Sequence, residues 1–340
     1  MMHILRPIKY SDFGALRQIA EESGHGFTSL PVNDDILREK IERSEHSFSK
    51  QITSPQDEGY LFVLEDSVSG DIMGTTAIEA SVGMKVPLYH YHLGKTVHHS
   101  PTLQVYNTVD ILTMCNDYTG ASEICTLFLR EPYRKGLAGR FLSRSRFTFM
   151  ADHSTRFSDT IIAEMRGVSD EHGHSPFWQW LQEHFFSIEF PQADHLVGLG
   201  DKVFISELMP KYPIYANLLS KKAQDVIGQV HEKTKPALRL LEKEGFEYRG
   251  YVDLFDAGPT IEAKLTNIRT VQNSHIAKVN ISRVKADESF AISNQQLQSF
   301  RATFTDQAYY HPHENVINID QDVASAINVQ NGDCVRIYKL

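Results

Sequence analysis

From Arg130 to Arg146 the chain reads REPYRKGLAGRFLSRSR, in which Arg130, Arg134, Lys135, Arg140, Arg144 and Arg146 stand against a single acid, Glu131. An apolar run, residues 124–129, comes just before it, and the residues from Leu137 onward have helical spacing. A strand that feeds a short Arg/Gly loop and then opens a helix offers backbone N–H groups and a positive helix terminus to an anion. Arg134, Lys135, Gly136, Ala138 and Gly139 are therefore candidate ligands for a phosphate group. The whole chain carries 34 Lys+Arg against 43 Asp+Glu, a net charge of −9. A basic cluster on an acidic protein suits a small anionic ligand. It does not suit a nucleic acid, which needs many phosphate-neutralising side chains. The loop is not a Walker loop, because no Gly-Lys-Ser/Thr follows. Gly198 and Gly200 do not make a dinucleotide fingerprint either, since Val203 stands where the third glycine belongs.

Other residue types admit other chemistries. Cys125 sits in the apolar run, and a thiolate there could accept an acyl group. The local sequence holds no cation to lower its pKa, so a small buried side chain is the favoured reading. Residues 163–174 carry Glu164, Arg166, Asp170 and Glu171. Arg166 could pair with a substrate carboxylate through two parallel hydrogen bonds. Glu164, Asn116 and Asp117 are further substrate-binding candidates, and each of the four also reads as an ordinary polar residue of a strand end or loop. The pairs His90/His92, His98/His99, His172/His174 and His311/His313 lack carboxylates or thiolates at a ligand spacing, so no metal is expected.

The elements that must position these residues follow from periodicity. Residues 4–7 read as a strand, and Asp12 can cap a helix running to about Glu22. Residues 60–65 and 72–79 form a hairpin around Ser69-Gly70-Asp71. Strand 124–129, helix 137–150 and strand 161–165 come next, and Pro176 can open a helix to about Phe186. Residues 203–208 and 248–255 read as strands. PFWQWLQEHFF from Pro176 and PALRLLEKEGF from Pro236 share Pro, Leu and Phe at matching places, each before a strand-like segment. This suggests a duplicated unit, although any amphipathic helix beginning with Pro gives similar matches. After Glu262 short apolar strands alternate with polar turns, and Asn331-Gly332 precedes a terminal strand. This tail reads as a β-rich appendage or as strands lent to the rest.

The loop of the type Arg/Gln-x-x-Gly-x-Gly/Ala between strand and helix resembles the acyl-CoA site of the GCN5-related N-acetyltransferases. PALRLLEKEGFEYRGY is similar to that fold's last helix–strand unit. Phe27-Thr28-Ser29-Leu30-Pro31, NDYTGASEICTLFL, AEMRGVSDEHGHSPFW, ELMPKYPIY and VIGQVH resemble, in order, the arginine N-succinyltransferase family, which includes arginine/ornithine succinyltransferase subunits. The resemblance covers residues 1–262 well and the tail weakly. One departure stands out: Leu137 occupies the place of the loop's first glycine, with Gly136 one residue earlier.

The resemblance implies an α+β fold of two acetyltransferase-like domains in tandem, with mostly antiparallel sheets flanked by helices. The expected boundaries are 1–190 for the acyl-CoA-binding domain, 191–262 for a second such domain and 263–340 for a β-rich C-terminal segment. It implies succinyl transfer from succinyl-CoA to the α-amine of L-arginine, or of L-ornithine, in arginine breakdown. Succinyl-CoA would be a co-substrate, with no tightly bound cofactor. Leu127 would contact it through its main chain. His231, one of 16 histidines and unremarked by its own surroundings, matches the family's proton-donor histidine. The alternatives are an acyltransferase acting on another amine, or an acyl-CoA or amino-acid binding subunit without catalysis. Subunits of this family are expected to associate with themselves or with a paralogous partner. The odd, widely spaced cysteines, the absence of a long apolar run and an N-terminus without an apolar core fit a cytoplasmic protein away from membranes.

Overall fold

A computed structural model describes residues 2–24, 27–171, 173–189, 192–193, 196, 203–284 and 288–340. His172, Gly198, Gly200 and the expected boundary at 190/191 lie outside the described residues. The chain opens with β1 (His3–Pro7), α1 (Phe13–Ser23), α2 (Asp34–Ser49), β2 (Gly59–Asp66) and β3 (Ile72–Glu79). A hairpin of β4 (His90–Ser100) and β5 (Val105–Cys115) leads to β6 (Ser122–Leu129), α3 (Ala138–Asp152) and β7 (Thr160–Glu164). Then come α4 (Pro176–Phe185), α5 (Val203–Leu208), β8 (Ile214–Tyr215), α6 (Lys221–Val226), α7 (Lys235–Glu244), β9 (Glu247–Val252) and β10 (Pro259–Lys264). The tail holds α8 (Arg269–Asn273), β11 (His275–Ile281), β12 (Phe290–Asn294), β13 (Ala302–Thr305), β14 (Ala308–His311), β15 (Val316–Ile319), α9 (Gln321–Ala326) and β16 (Cys334–Lys339).

All these strands join one mostly antiparallel sheet, ordered β14-β15-β11-β16-β12-β13-β1-β2-β3-β6-β7-β10-β9-β4-β5-β8. Alternation along β2 sets its two faces. Tyr60, Phe62 and Leu64 enter a core with α3 and α7, while Leu61 and Val63 enter another with α1 and α2. A separate core gathers Tyr91 and Leu112 of the hairpin with Phe177, Trp178 and Leu181 of α4, Ile205 and Ala223. The tail has its own core around Val279, Ile317, Val323 and Val335.

Several elements differ from those expected. Residues 191–262 do not build a sheet of their own: β10 lies antiparallel on β7, Thr260 opposite Glu164, and β9 lies on β10. The open edge of β7 needs a partner for its backbone groups, and the later strands supply it. The second apolar core instead draws on residues 89–114, on described residues of 168–227 and on 252–257, so its members are not consecutive. Residues 203–208 are helix, not strand, because Ile205 and Met209, four apart, bury on one side. Both helices that begin with Pro exist, with Pro in the first turn. Only α7 runs on into a strand, and residues 187–189 after α4 carry none. The tail lends its strands to the rest, the second of its two readings: β13 pairs with β1, Thr303 opposite Ile4. The 262/263 boundary cuts β10, which continues to Lys264. The β4–β5 hairpin had no counterpart among the expected elements, although its alternating branched residues carry a strand signal.

Candidate active site

β6 and β7 are parallel and pair only at their beginnings, Ser122 with Ile161 and Glu123 with Ile162. Beyond that no ladder pair joins the two strands, which leaves the edges of residues 125–129 and of the end of β7 as the walls of a candidate cleft. On its other edge β6 slips register against β3: Phe128 faces Thr75, yet Cys125 faces Ala77. The slip is a bulge at Thr126–Leu127, and Thr126 has φ 54°. A positive φ at a β-branched residue is strained and persists only where the surroundings hold it. Bulges re-aim a strand beside active sites. The Leu127 side chain packs on the main core, which leaves its main chain as the part that can serve the cleft.

The Arg/Gly loop leads from β6 into α3. Gly136 takes φ 60° and turns the chain, and Leu137 becomes the residue that precedes α3. The displaced glycine thus supplies the turn one residue early. No described side chain caps α3, so its first N–H groups can serve an anion. A methyl group built on Gly139 would lie 3.8 Å from Leu129 Cδ2, an ordinary contact. Ala138 is buried in the core, so only its backbone is available.

The basic cluster divides. Arg130 is engaged with Glu22 and donates to Ile72 O. Arg144 meets buried Glu244 at 2.7 Å. Arg146 is buried, donates to Ser143 O and has its pKa pushed down to about 10 by desolvation, so it remains charged at neutral pH. These three serve the fold. Arg134, Lys135 and Arg140 are exposed at the loop, with Arg134 Nε donating to Leu129 O at 2.7 Å. Burial, with Glu123 and Glu79 nearby, pushes the Cys125 thiol up, so it is a poor nucleophile.

The opposite wall is assembled from distant segments. Gly167 bridges Val230 antiparallel, and His231 N donates to Arg166 O at 2.9 Å. His231 Nδ1 accepts from Lys233 N at 3.1 Å. A ring that accepts at Nδ1 carries its neutral-state proton on Nε2. Burial, then Arg166 and Lys233, lower the His231 pKa from 6.5, so the ring is neutral at pH 7. Asp256 ties the turn beneath: its Oδ2 accepts from Gly167 N at 2.7 Å and its Oδ1 from Gly258 N at 2.8 Å. A Cβ on Gly167 would lie 2.5 Å from Asp256 Oδ1, and one on Gly258 2.2 Å from Met165 O. Asp256, Gly167 and Gly258 were not among the candidates read from sequence. Asp256-Ala257-Gly258 was the available signal, but it reads as any turn.

Glu164 Oε1 lies 2.8 Å from Nε2 of the fully buried His90. Burial and Glu164 raise the pKa of Asp253 beside them. Arg166 Nη2 donates to Ser169 Oγ at 3.0 Å. Asp117 accepts from Tyr251 OH at 2.9 Å, and burial with this bond pushes the Tyr251 phenol up to about 12. The Tyr251 ring lies 4.6 Å from that of Tyr118, itself 5.3 Å from His90. An aromatic chain thus links Asp117 to Glu164. Asn116 is spent on its turn: its Nδ2 donates to Leu88 O at 2.5 Å and its carbonyl accepts from Thr119. The structure therefore brings Glu164, Arg166 and His231 to one wall, ties Asp117 to it and gives Asn116 a role in the turn.

Among the described residues no helix is long and apolar enough to cross a membrane. The sequence model of the family described as "Arginine N-succinyltransferase beta subunit" matches residues 3–270. A second model, for the C-terminal domain of the same arginine N-succinyltransferase beta subunit, matches residues 275–339. The chain is 45% identical over 341 residues to "Arginine N-succinyltransferase" of Escherichia coli (strain 55989 / EAEC), covering 100% of this chain and 98% of that protein. The protein of the same name from Shigella flexneri is also 45% identical over 341 residues, with 100% and 98% covered. Among solved structures, "arginine/ornithine succinyltransferase subunit AI from Pseudomonas aeruginosa" superposes with a TM-score of 0.91 at 36% identity, covering 99% of this chain and 98% of that one.

Proposed function

Since the chain belongs to the arginine N-succinyltransferase family, we propose that it transfers the succinyl group of succinyl-CoA to the α-amino group of L-arginine. The products are N2-succinyl-L-arginine and CoA, and the reaction begins a route of arginine breakdown. The observation that carries the mechanism is the parting of β6 and β7, with the Thr126–Leu127 bulge on one wall and His231 held on the other.

The CoA phosphates rest on the amino end of α3, with Gly136 and Gly139 allowing close approach and Arg134 and Lys135 adding charge. The pantetheine follows β6 into the cleft, and the main chain at Leu127 holds the thioester carbonyl as it becomes an oxyanion. Arg166 receives a carboxylate of the succinyl group or of the amino acid. Glu164, backed by His90, and Asp117 face the cationic part of arginine. The α-amine attacks the carbonyl carbon, a C–N bond forms and the C–S bond breaks. The nitrogen gives up a proton and the sulfur gains one. Nε2–H of neutral His231 donates a hydrogen bond to the departing sulfur, where negative charge develops.

One acetyltransferase-like unit, β1-β2-β3-β6-β7-β10-β9 with α3 and α7, accounts for the cleft. The tandem arrangement is set aside, because β9 and β10 complete the first sheet. Cys115, Cys125 and Cys334 are unbonded, which supports a place in the reducing cytoplasm.

The test is CoA release from purified protein given succinyl-CoA or acetyl-CoA with L-arginine or L-ornithine. Release that requires succinyl-CoA and is fastest with arginine supports the reading. Release with acetyl-CoA alone would make the protein a different acyltransferase, and CoA binding without turnover on any amine would make it a binding subunit.

A further inference from the structure

Three arginines are buried among the described residues: Arg6, Arg146 and Arg156. Two of them are engaged at both terminal nitrogens. Arg6 donates to the two carboxylate oxygens of Asp12. Arg156 donates through Nη1 to Tyr60 OH at 2.8 Å and through Nη2 to Lys50 O at 2.6 Å. Arg146 differs. Its Nε donates to Ser143 O at 3.0 Å and its Nη2 to Ser143 Oγ at 3.1 Å, both on its own helix. Among the described residues its Nη1 has no hydrogen-bond partner, and no carboxylate pairs with it as Glu244 pairs with Arg144. The Phe147 ring centroid lies 5.8 Å from the guanidinium carbon, at the far limit of a cation–π contact.

A buried cation without a counter-charge is costly, and proteins pair such groups or saturate their hydrogen bonds. Arg146 holds its own helix through Ser143 and keeps capacity for one more partner. Its free nitrogen is not sealed in: the 2% of its surface that Arg146 still exposes includes Nη1.

Helix and strand geometry locate that opening. β6, α3 and β7 form a crossover between parallel strands, so α3 runs back along β6. Gly139 faces β6, since a Cβ there would lie 3.8 Å from Leu129 Cδ2. Arg146 follows about two turns later and leaves the helix on the same side. Two turns of helix span about 10 Å, which about three residues of strand also span. Counting back from Leu129 places Arg146 beneath Thr126, at the bulge. The Cys125 thiol is near enough to act on the Arg146 charge, as this placement requires. The ladder between β6 and β7 has ended at Glu123 and Ile162, so Arg146 lies under the point where the strands are no longer paired.

We propose that Arg146 reads the acyl group: its guanidinium takes the terminal carboxylate of a dicarboxylic acyl-CoA and so selects succinyl over uncharged acyl groups. This rests on the reaction proposed above and deepens it. In that reaction the CoA phosphates lie at the amino end of α3 and the thioester carbonyl lies at Leu127. The acyl chain continues in the same direction, toward the paired ends of β6 and β7. The succinyl carboxylate ends three carbon–carbon bonds beyond the thioester carbonyl. Only an acyl group that carries a charge gives the buried cation a partner. An acetyl or butyryl group leaves it unpaired, which adds a penalty to the missing attraction. Arg166, on the wall with His231, is then left for the carboxylate of the amino acid.

The test compares kcat/KM for succinyl-CoA with that for butyryl-CoA, whose acyl group has as many carbons and no charge, at saturating L-arginine. The proteins are the native chain, Arg146→Met, Arg146→Lys and Arg166→Met. The native chain is expected to prefer succinyl-CoA by roughly 100-fold or more. Arg146→Met should lower that preference roughly 100-fold, with butyryl-CoA used at least as well as by the native chain. Loss of folded protein lowers both donors together and leaves their ratio alone, so it does not mimic this effect. Arg146→Lys keeps a buried charge without the planar fork and should lower the preference roughly tenfold; it carries the test where Arg146→Met does not fold. Arg166→Met should raise the KM for arginine and leave the donor ratio in place. A ratio unchanged in the Arg146 variants, or one moved by Arg166→Met instead, overturns the proposal and leaves succinyl transfer standing. A native chain that transfers no succinyl group overturns the reaction itself, and this proposal with it.

Discussion

One wall of the cleft, β6 with its loop and α3, comes from residues 125–139. The other is gathered from residues 164–167, 230–231 and 256–258. The first wall gets its function from local backbone geometry: a bulge at Thr126, a left-handed turn at Gly136 and a helix terminus without a cap. The second gets its function from long-range hydrogen bonds, Asp256 to Gly167 and His231 to Arg166. A consecutive wall can hold an anion through whatever side chains it carries, because the amides bind it. An assembled wall depends on each tie that keeps its parts in place. The two walls should therefore fail differently when altered.

The largest effect is expected at His231. His231→Ala should lower turnover roughly 100- to 1,000-fold, with the KM for succinyl-CoA little changed if, as proposed, the first wall holds CoA. Steady-state kinetics with both substrates varied would check this, and unchanged turnover would remove His231 from the mechanism.

Next comes a contrast of glycines. Gly258→Ala forces a methyl group against Met165 O and should cost about 2–4 kcal/mol of stability. Gly136→Ala meets open space at φ 60° and should cost only about 1 kcal/mol. Urea unfolding of both variants sharpens the comparison, and equal losses would break it.

Glu164→Gln removes one charge from the assembled wall. The KM for arginine should rise roughly tenfold, while the KM for succinyl-CoA stays within twofold or so. A change confined to succinyl-CoA would place Glu164 on the wrong substrate.

The smallest effect concerns pH. The His231 pKa lies below 6.5 in the folded chain; protonation fills Nδ1 and breaks its acceptance from Lys233 N, so the ring loses its placement as pH falls through the folded value. The acid limb of turnover should accordingly lie under pH 6.5. Lys233→Gln removes one of the charges that lower the pKa, leaves the backbone bond from residue 233 to Nδ1 in place, and should move the limb upward by a few tenths of a unit. A limb that stays put would show that burial and Arg166 set it without Lys233.

How much was legible follows the same division. The strand–loop–helix at residues 124–150 could be read because apolar periodicity, Arg and Gly all fall within one stretch of chain. Even there, the roles of the cations could not be read: Arg130, Arg144 and Arg146 differ from Arg134 only in which carboxylate or carbonyl folding brings beside them. Glu164 and Arg166 could be named as charged residues after a strand, but their joining to His231 depends on Gly167 meeting Val230. The short apolar run 203–208 shows the limit for secondary structure, since its length suits either state and packing of Ile205 and Met209 chose helix.

By itself the sequence determined the α+β class, the glycine turn between strand and helix and the family motifs, because each is written in neighbouring residues. Only the tertiary structure decided that β9 and β10 complete the first sheet and that the second wall exists. Those outcomes depend on which strand edges and carbonyls need partners, and pairing between distant segments leaves no periodic trace in either one.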